Sequence, residues 1–217
     1  MVTATDTRTA LVQSAIRLIG LNGYEGVTTR QLAQDAGANV AAISYHFGGK
    51  DGLCKAAIDH VVSLVQPRLD FVGAVVAQAR ELAGNDRVRQ ARLLAQIVET
   101  MLETLLRTPE LRSVLPFVVR EMFAPGPYFD RFYRAVPQRV HELLTDVVAW
   151  ILDLDTASDA AKIRAHAVLG QLLVFQFGRP VLLRRLRARD YTAAQFATIR
   201  AQVTESVLRS LGLPHAP

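Results

Sequence analysis

The chain of 217 residues contains a single cysteine, Cys54, so it cannot form an internal disulfide. A protein without internal disulfides is typical of a reducing compartment, and we expect a cytoplasmic location. The first apolar stretch is interrupted by Gln13 and Arg17, which is unlike a secretory signal. The longest apolar stretches, 147–152 and 168–177, are too short to span a bilayer, and we expect no membrane partner.

Common signatures of enzymes and metalloproteins are also absent from the sequence. It has no glycine-rich phosphate loop, no nucleophile elbow and no cysteine pair. His141, Glu142 and His166 suggest a metal or acid–base site, but no second pair of ligands follows at a recognised spacing. We therefore expect no enzymatic activity, no bound metal and no cofactor.

The net charge of +5, from 25 basic and 20 acidic residues, favours an acidic partner such as DNA. Residues 1–60, however, hold five residues of each sign, so the positive excess lies later in the chain. A neutral region can still bind phosphate through a few placed cations and helix N-termini. A prediction of DNA binding must therefore rest on a motif, since the charge alone does not show which part of the chain would bind DNA.

Apolar residues recur at helical spacing along the whole chain, and we see no alternation typical of strands. Helices are predicted over residues 7–22, 29–36, 40–46, 50–65, 68–83, 88–107, 109–123, 128–134, 137–152, 159–178 and 193–211. Pro67 is predicted to interrupt the helical pattern, and Pro180 to kink or restart it. Half of the residues are hydrophobic, which suffices for a substantial core, so we predict an all-α fold.

Residues 28–53 have the spacing of a helix-turn-helix. Ala33 is the small residue needed where the two helices cross, and Gly37 tolerates the positive φ of the turn. Ile43, six residues after Gly37, is the apolar anchor that fixes the second helix to the core. The agreement at each of these positions predicts a DNA-reading element.

The residues around this motif resemble the signature of the TetR family of bacterial transcriptional regulators. In that family the second helix of the motif ends in an aromatic-His-Phe triplet, here Tyr45-His46-Phe47, and a lysine, here Lys50, opens the next helix. The connection Tyr-Glu-Gly-Val-Thr-Thr at 24–29 also resembles the family. The segment 39–47 is similar to a CecR-like subgroup.

This resemblance implies an N-terminal three-helix head that binds DNA and a C-terminal helical bundle that binds an effector and dimerises. We predict the head at residues 1–48 and the body at 49–217. Helix 4, at about 50–65, is predicted to join them.

The polar and small side chains of the motif that do not serve the core are predicted to face DNA. They are Thr28, Thr29, Arg30, Asn39, Val40, Ala41, Ala42, Ser44, Tyr45, His46 and Lys50. Thr28 or Thr29 can cap helix 2, and Arg30 lies where a phosphate would approach that N-terminus. Asn39 either caps helix 3 or contacts DNA.

The family resemblance assigns roles to the remaining side chains of this set. Tyr45, His46 and Lys50 match positions that contact phosphate and orient the helix. Residues 40–42 and Ser44 match positions that face bases, where apolar contact with thymine methyl groups is the expected mode. Many relatives have tyrosine where this chain has Ser44, so no contact is transferred there.

Reading an operator with one short helix per chain requires a dimer, with half-sites about one helical turn (roughly 34 Å) or a multiple apart. Segments 140–152 and 159–178 are apolar on nearly all sides, which indicates burial. In TetR-like proteins two late helices form the dimer interface, and these two segments match them. The predicted interface residues are Leu144, Val147, Val148, Ile151, Val168, Leu172 and Phe175. The alternative is that both segments belong to the core of one chain.

Aromatic residues and methionines between 101 and 133 can line an adaptable apolar cavity. The predicted lining is Met101, Leu105, Phe117, Arg120, Met122, Phe123, Phe129, Phe132 and His166. Arg120 or His166 would orient a polar group of the effector. The alternative is that this stretch is core. The sequence also allows two interpretations of Cys54, which is either an oxidant sensor or a small buried hydrophobe.

These features lead to one functional hypothesis and two rivals. The chain is predicted to be a homodimeric DNA-binding regulator, a repressor released from a pseudo-palindromic operator by a small, largely apolar effector. The first rival is an effector-independent DNA-binding dimer controlled by its abundance or by a protein partner. The second is a helical enzyme or lipid-binding protein that borrows the motif.

Overall fold

The computed structural model describes the backbone of residues 4–214 and the side chains of 6–78, 80–81 and 84–214. Every regular element in this part of the chain is a helix. The helices are α1 (Ala4–Asn22), α2 (Thr29–Asp35), α3 (Val40–Phe47), α4 (Lys50–Ala83), α5 (Arg87–Arg107), α6 (Pro109–Phe123), α7 (Phe129–Ala135), α8 (Pro137–Leu152), α9 (Asp159–Phe177), α10 (Arg179–Leu186) and α11 (Ala193–Ser210). The predicted all-α fold is confirmed.

Several helices begin where a short polar side chain caps them. Thr28, Asp86, Ser158 and Thr192 each accept a hydrogen bond from a backbone N–H of the first turn of α2, α5, α9 and α11. In α2 and α11 the backbone N–H of the capping threonine donates to the side-chain oxygen of the glutamine three residues on, which completes a capping box. Local chemistry therefore sets these starts, and sequence reasoning placed them within one residue.

Pro67 does not end a helix, and the predicted break there is wrong. A single helix, α4, runs from Lys50 to Ala83 with the proline inside it. An interior proline removes one backbone hydrogen bond and costs about 3 kcal/mol. Apolar side chains on both sides, Val61 before the proline and Val72 after it, are buried and offset this cost.

Pro180 does restart the helical pattern, as predicted. The segment predicted over 159–178 ends as α9 at Phe177, and α10 begins at Arg179. The axes of the two helices differ by 58°. Proline is tolerated in the first turn of α10 because the N–H it lacks has no partner within the helix there.

The described residues form two compact units. Unit 1 contains 4–67 and 109–137, and unit 2 contains 68–108 and 138–214. Helix α4 passes from one unit to the other at Pro67. The units divide the chain elsewhere than residue 48 because α6 and α7 pack with the first helices. The functional division into 1–48 and 49–217 stays a prediction.

In unit 1, helices α1–α3 and the first half of α4 share one core with α6 and α7. Its fully buried side chains include Leu11, Ile16, Ile19, Leu32, Ile43, Leu53, Ile58, Phe117 and Phe132. Helices α1 and α6 approach most closely at Gly20, where a Cβ would lie 2.7 Å from the backbone nitrogen of Phe117. A side chain at residue 20 would therefore push the two helices apart.

In unit 2, helices α5, α8, α9 and α11 enclose a second core with the last part of α4. Its buried side chains include Leu94, Ile97, Leu102, Val147, Val148, Ala165, Leu172, Val203 and Val207. Arg87 fastens the end of this bundle, because its guanidinium donates to the carbonyl oxygens of Ile151 at 2.7 Å and Gly212 at 3.0 Å.

By length and hydropathy alone, one helix of the described part, residues 50–78 of α4, is able to cross a bilayer. Several of its apolar side chains, among them Leu53, Ala57 and Val61, are packed in the core of unit 1. Packing in a folded unit thus accounts for part of the apolar character of this segment.

Candidate nucleic-acid interface

Helices α2 and α3 form the predicted helix-turn-helix. Ala33 and Ile43 are each 1% exposed, so the crossing residue and the anchor both lie in the core. Gly37 has a φ of +63°, and the N–H of Ala38 donates to the carbonyl of Ala33 at 2.8 Å. The turn that sets the angle between the helices therefore depends on Gly37, as predicted.

Asn39 caps α3. Its side-chain oxygen accepts a hydrogen bond from the N–H of Ala41 at 2.9 Å. Of the two roles that the sequence left open, capping is the one that the structure shows. The cap fixes the start of the helix that carries the predicted base-facing side chains.

The outer face of α3 presents the small and aromatic side chains predicted to meet DNA. Val40 is 42% exposed and Tyr45 is 84% exposed, and Ala41 and Ser44 are exposed too. These four positions share one face, since side chains at i and i+4 line up on a helix. Ala42 is half-buried and packs against the core of unit 1, so less of it is available to a base.

The predicted phosphate contacts lie beside this face. Arg30 is exposed, and His46 and Lys50 are half-buried. The Thr28 hydroxyl is engaged in the capping box with Gln31, to which it donates at 2.8 Å. Thr28 therefore fixes the N-terminus of α2, and the exposed Arg30 is the better placed of the two for phosphate.

A cluster that sequence reasoning missed surrounds Lys50. The Lys50 Nζ lies 4.0 Å from the centroid of the Tyr24 ring. The Tyr24 hydroxyl donates to Asp51 Oδ1, and the hydroxyl of Tyr128 also favours the charged form of the Asp51 carboxyl. The rings of Tyr24 and Tyr128 meet edge to face, with centroids 5.7 Å apart. The only signal in the sequence was the tyrosine of the 24–29 connection, because nothing local brings residue 128 to residue 51.

The protonation equilibria of the cluster follow from these contacts. Hydrogen bonds from Tyr24 and then Tyr128 lower the pKa of the Asp51 carboxyl below its usual range. Burial, followed by the hydrogen bond to Asp51, raises the pKa of the Tyr24 hydroxyl. Asp51 is therefore ionised and Tyr24 protonated at neutral pH, so the hydrogen bond between them is charge-assisted.

Cys54 lies close to this cluster in the first turns of α4. It is 3% exposed, and burial raises the pKa of its thiol to about 12. Oxidation proceeds through an accessible thiolate, and both conditions fail here. The reading as a small buried hydrophobe is the one that fits the structure.

The predicted pocket residues do not come together in one unit. Met101, Leu105 and His166 lie in unit 2, and the other six lie in unit 1. Phe117 and Phe132 are fully buried in the core of unit 1, whereas Met122 and Phe123 are 42% and 74% exposed. The alternative that the sequence left open, core, holds for the two buried phenylalanines. Apolar residues at helical spacing mark a core as readily as a cavity, and only packing separates the two.

The predicted dimer contacts need a similar correction. Leu144, Val147, Val148, Ile151, Val168 and Leu172 are at most 4% exposed within the chain itself. Phe175 is half-buried and packs against the same core of unit 2. For the six buried side chains the structure agrees with the alternative that the sequence left open, intramolecular core, while a partner contact at Phe175 stays a prediction. The exposed apolar side chains of α9 are others, Ile163 at 68% and Val174 at 56%.

The structure brings together two histidines that the sequence separates. His141 on α8 and His166 on α9 are stacked, with ring centroids 5.1 Å apart and Nε2 of His141 3.3 Å from Nδ1 of His166. Burial, and then the proximity of His166, lowers the pKa of His141. Among the residues that the structure describes, no group of three or more histidine, cysteine or acidic side chains is placed to hold a metal ion.

Three features define the class of the molecule. The recognition helix is capped and faces outward, a tight turn fixes it on a helical core, and cations flank it. The molecule is a helix-turn-helix protein of the all-helical kind that reads DNA. The comparisons with known proteins place it more narrowly.

Two family models match adjacent parts of the chain. The model described as bacterial regulatory proteins, tetR family, matches residues 11–57. The model described as the C-terminal domain of the HTH-type transcriptional dual regulator CecR matches residues 90–213. The chain therefore belongs to the TetR family of bacterial transcriptional regulators and is CecR-like.

Individual relatives agree with this placement. The chain is 26% identical over 179 residues to the HTH-type transcriptional dual regulator CecR of Shigella flexneri, which covers 81% of this chain and 78% of that protein. It is 30% identical over 154 residues to the HTH-type transcriptional regulator BetI of Burkholderia mallei, covering 71% and 73%. A solved transcriptional regulator from Rhodococcus sp. Rha1 shares the fold with a TM-score of 0.60 and 20% identity, covering 97% and 99%.

The expectations of a DNA-binding transcriptional regulator and of a bacterial TetR family member are thus confirmed. Relatives and fold neighbours are transcriptional regulators and not enzymes, which also disfavours the second rival hypothesis.

Proposed function

We propose that this regulator is a repressor that binds a pseudo-palindromic operator as a homodimer and leaves the operator when a small, largely apolar effector binds the body. The observation that carries the DNA-binding part is the exposed face of α3, with Val40, Ala41, Ser44 and Tyr45 outside the core. Val40 and Ala41 offer thymine methyl groups an apolar surface. Arg30 supplies donors for phosphate, as do Tyr45, His46 and Lys50.

A dimer is supported by an apolar stripe along α9. Ile163, Ala167, Gly170 and Val174 recur at helical spacing and are all exposed within the single chain. Beyond the bend, Val181 of α10 is 71% exposed. Contiguous exposed apolar side chains mark an interaction surface, and a two-fold axis pairs the stripe with its own copy. This proposal replaces the buried residues of α8 and α9 named above with another, exposed face of α9.

Effector binding in the body is supported by polar atoms left unsatisfied in unit 2. Gln176 Oε1 and Arg179 Nη1 are buried and have no hydrogen-bond partner among the described residues. Buried polar atoms are almost always paired in folded proteins, so these two require a partner. They offer one acceptor and one donor to the polar group of an otherwise apolar effector. The rival without effector predicts that ordered water satisfies both atoms.

The test of DNA binding is fluorescence anisotropy with the intergenic DNA beside the gene of this protein. Scrambled DNA of the same length is the control, and both are measured at two salt concentrations. We expect selective binding by a dimer, with affinity that falls as salt rises. Equal weak binding to both sequences would call for a selection from random DNA, and failure to select any sequence would refute the proposal.

The test of the effector is a thermal-shift screen of small apolar compounds with one polar group, followed by the anisotropy assay. A true effector raises the melting temperature and lowers operator affinity, because it must bind the two states differently. Compounds that stabilise the protein yet leave operator affinity unchanged would contradict release by an effector.

A further inference from the structure

The cluster around Lys50 joins three segments that are far apart in the sequence. Tyr24 follows α1, Lys50 and Asp51 open α4, and Tyr128 directly precedes α7. We propose that Tyr24 and Tyr128 are positioning residues for Lys50, holding its ammonium group where an operator phosphate binds. This inference rests on the proposed operator binding and deepens it, because it makes residue 128 part of the DNA-binding machinery.

The ring of Tyr24 supports the lysine side chain directly. At 4.0 Å from the ring centroid, Nζ lies over the π face and is attracted by its negative potential. A free lysine side chain loses considerable rotamer entropy when it binds a phosphate. A lysine that already lies along a ring has lost part of that entropy in the free protein, so the ring raises affinity by preorganisation.

The two hydroxyl groups act on the neighbour of Lys50. Asp51 is adjacent in the chain and carries the opposite charge, so it competes with phosphate for the ammonium. Tyr24 donates a hydrogen bond to the Asp51 carboxylate, and Tyr128, whose ring packs edge to face on that of Tyr24, also favours the charged form of this carboxylate. A carboxylate stabilised by two hydroxyl groups gains less from a salt bridge with Lys50, which leaves the lysine charge available to DNA.

Tyr128 itself is fixed by the rest of α7. Phe132, one turn along, is fully buried in the core of unit 1. Arg131 binds Asp59 of α4 through Nη2 at 2.7 Å. Lys55 adds a second cation, with its Nζ 5.1 Å from the Tyr128 ring centroid. These contacts hold the α7 segment, and with it Tyr128, against the N-terminal part of α4.

The experiment measures operator affinity and its salt dependence for Tyr24→Phe and Tyr128→Phe, alone and combined with Lys50→Ala. The probe is a fluorescein-labelled duplex selected from random DNA by the wild-type protein. Tyr133→Phe is the matched control, since Tyr133 lies on the same helix as Phe132 and outside the cluster. We expect each of the two hydroxyl deletions to weaken binding about three- to tenfold and to reduce the salt slope. In the Lys50→Ala background the same deletions should have no further effect.

Two outcomes would overturn the inference, and a third would leave the decision to the Tyr128 variant. Unchanged affinity in both hydroxyl deletions and in Tyr24→Leu, which also removes the ring face, would show that Lys50 needs no support. Equal weakening with and without Lys50 would show that the tyrosines act on the head as a whole. Loss of melting temperature in Tyr24→Phe matching its loss of affinity would indicate a folding defect, and Tyr128→Phe then decides. Failure of the wild-type protein to select any duplex would instead refute the proposed function.

Discussion

Lys50 is the side chain whose environment is most fully defined in the candidate interface. It opens α4, contacts the ring of Tyr24 and belongs to the part of the motif that resembles phosphate-contacting positions. A cation at the N-terminus of a helix is unfavourable for the helix dipole, so its presence there is better explained by binding than by stability. We therefore propose that Lys50 contributes affinity and that the α3 side chains contribute selectivity.

We expect Lys50→Ala to weaken binding to all DNA sequences by a similar factor, about tenfold, which corresponds to about 1.4 kcal/mol. The slope of log affinity against log salt should fall by about 1. Anisotropy titrations on operator and scrambled duplexes measure both quantities. Arg92→Ala removes a positive charge from the exposed surface of α5, outside the candidate interface, and serves as the control. A loss of preference for one sequence without general weakening would contradict the phosphate role.

Glu121 is a second residue with a testable environment. It is 4% exposed, and burial raises the pKa of its carboxyl, while the hydrogen bond from Gly126 N–H acts in the opposite direction. Because the folded-state pKa is raised, the stability that this group contributes is fully present below its unfolded pKa. That stability is lost as pH rises through the folded-state pKa.

We therefore expect the free energy of unfolding of the wild type to fall as the pH rises from the unfolded-state pKa of Glu121 to its folded-state pKa. The free energy of unfolding of Glu121→Gln should lack this decrease. The glutamine keeps an oxygen for Gly126 and has no charge to desolvate. Urea denaturation of both proteins at pH 4 and pH 8 measures the difference. Parallel pH profiles for the two proteins would show that Glu121 ionises without cost.

At the scale of elements, the close contact of α1 and α6 holds the first helices and the 109–137 segment in one unit. Gly20 allows this approach to the backbone of Phe117, and the side chains of Phe117 and Phe132 are fully buried in the same core. The helix-turn-helix and α6 each contribute buried side chains to one continuous core, so each depends on the other for its packing. A change at this contact should therefore affect the stability of the whole unit.

We expect Gly20→Ala to destabilise the protein by about 1–3 kcal/mol, since its Cβ would lie 2.7 Å from a backbone nitrogen that cannot move independently. Gly73→Ala is the matched control, because a Cβ on that helical glycine meets nothing within 4 Å. There the same substitution should stabilise by about 0.5–1 kcal/mol. Urea denaturation separates the two signs. Equal effects at both positions would mean that α1 and α6 do not approach closely in solution.

At the scale of the whole molecule, operator recognition depends on pairing two chains. The stripe of Ile163, Ala167, Gly170 and Val174 is exposed in one chain and suits close contact between helices, because its central positions are small. Its burial in a dimer would supply the hydrophobic energy that a single exposed copy lacks.

We expect Val174→Arg to convert the dimer to a monomer and to weaken operator binding strongly, because each head alone reads one half-site. Light scattering coupled to size exclusion measures the mass, and anisotropy measures the affinity. Val88→Arg places the same charge on an exposed apolar residue of the same unit and should leave the dimer intact. A Val174→Arg protein that stays dimeric would exclude this face of α9.

Sequence alone determined the helices and the reading motif of this protein. Capping residues such as Thr28 and Ser158, the turn glycine Gly37 and the anchor Ile43 act through neighbours within a few positions, so their roles are visible in the pattern. Membership of the TetR family followed from the same short segment.

Only the tertiary structure decided which apolar face of each helix is core and which side chains gather around Lys50. In the sequence, Phe117 cannot be told from a residue that lines a pocket, nor Val147 from a residue of a dimer interface. Their burial depends on partners that are distant along the chain. The continuation of α4 through Pro67 has the same origin, since packing on both sides offsets a local penalty. The contacts of Tyr128 with Tyr24 and Asp51 join residues more than 70 positions apart, and no local rule specifies them.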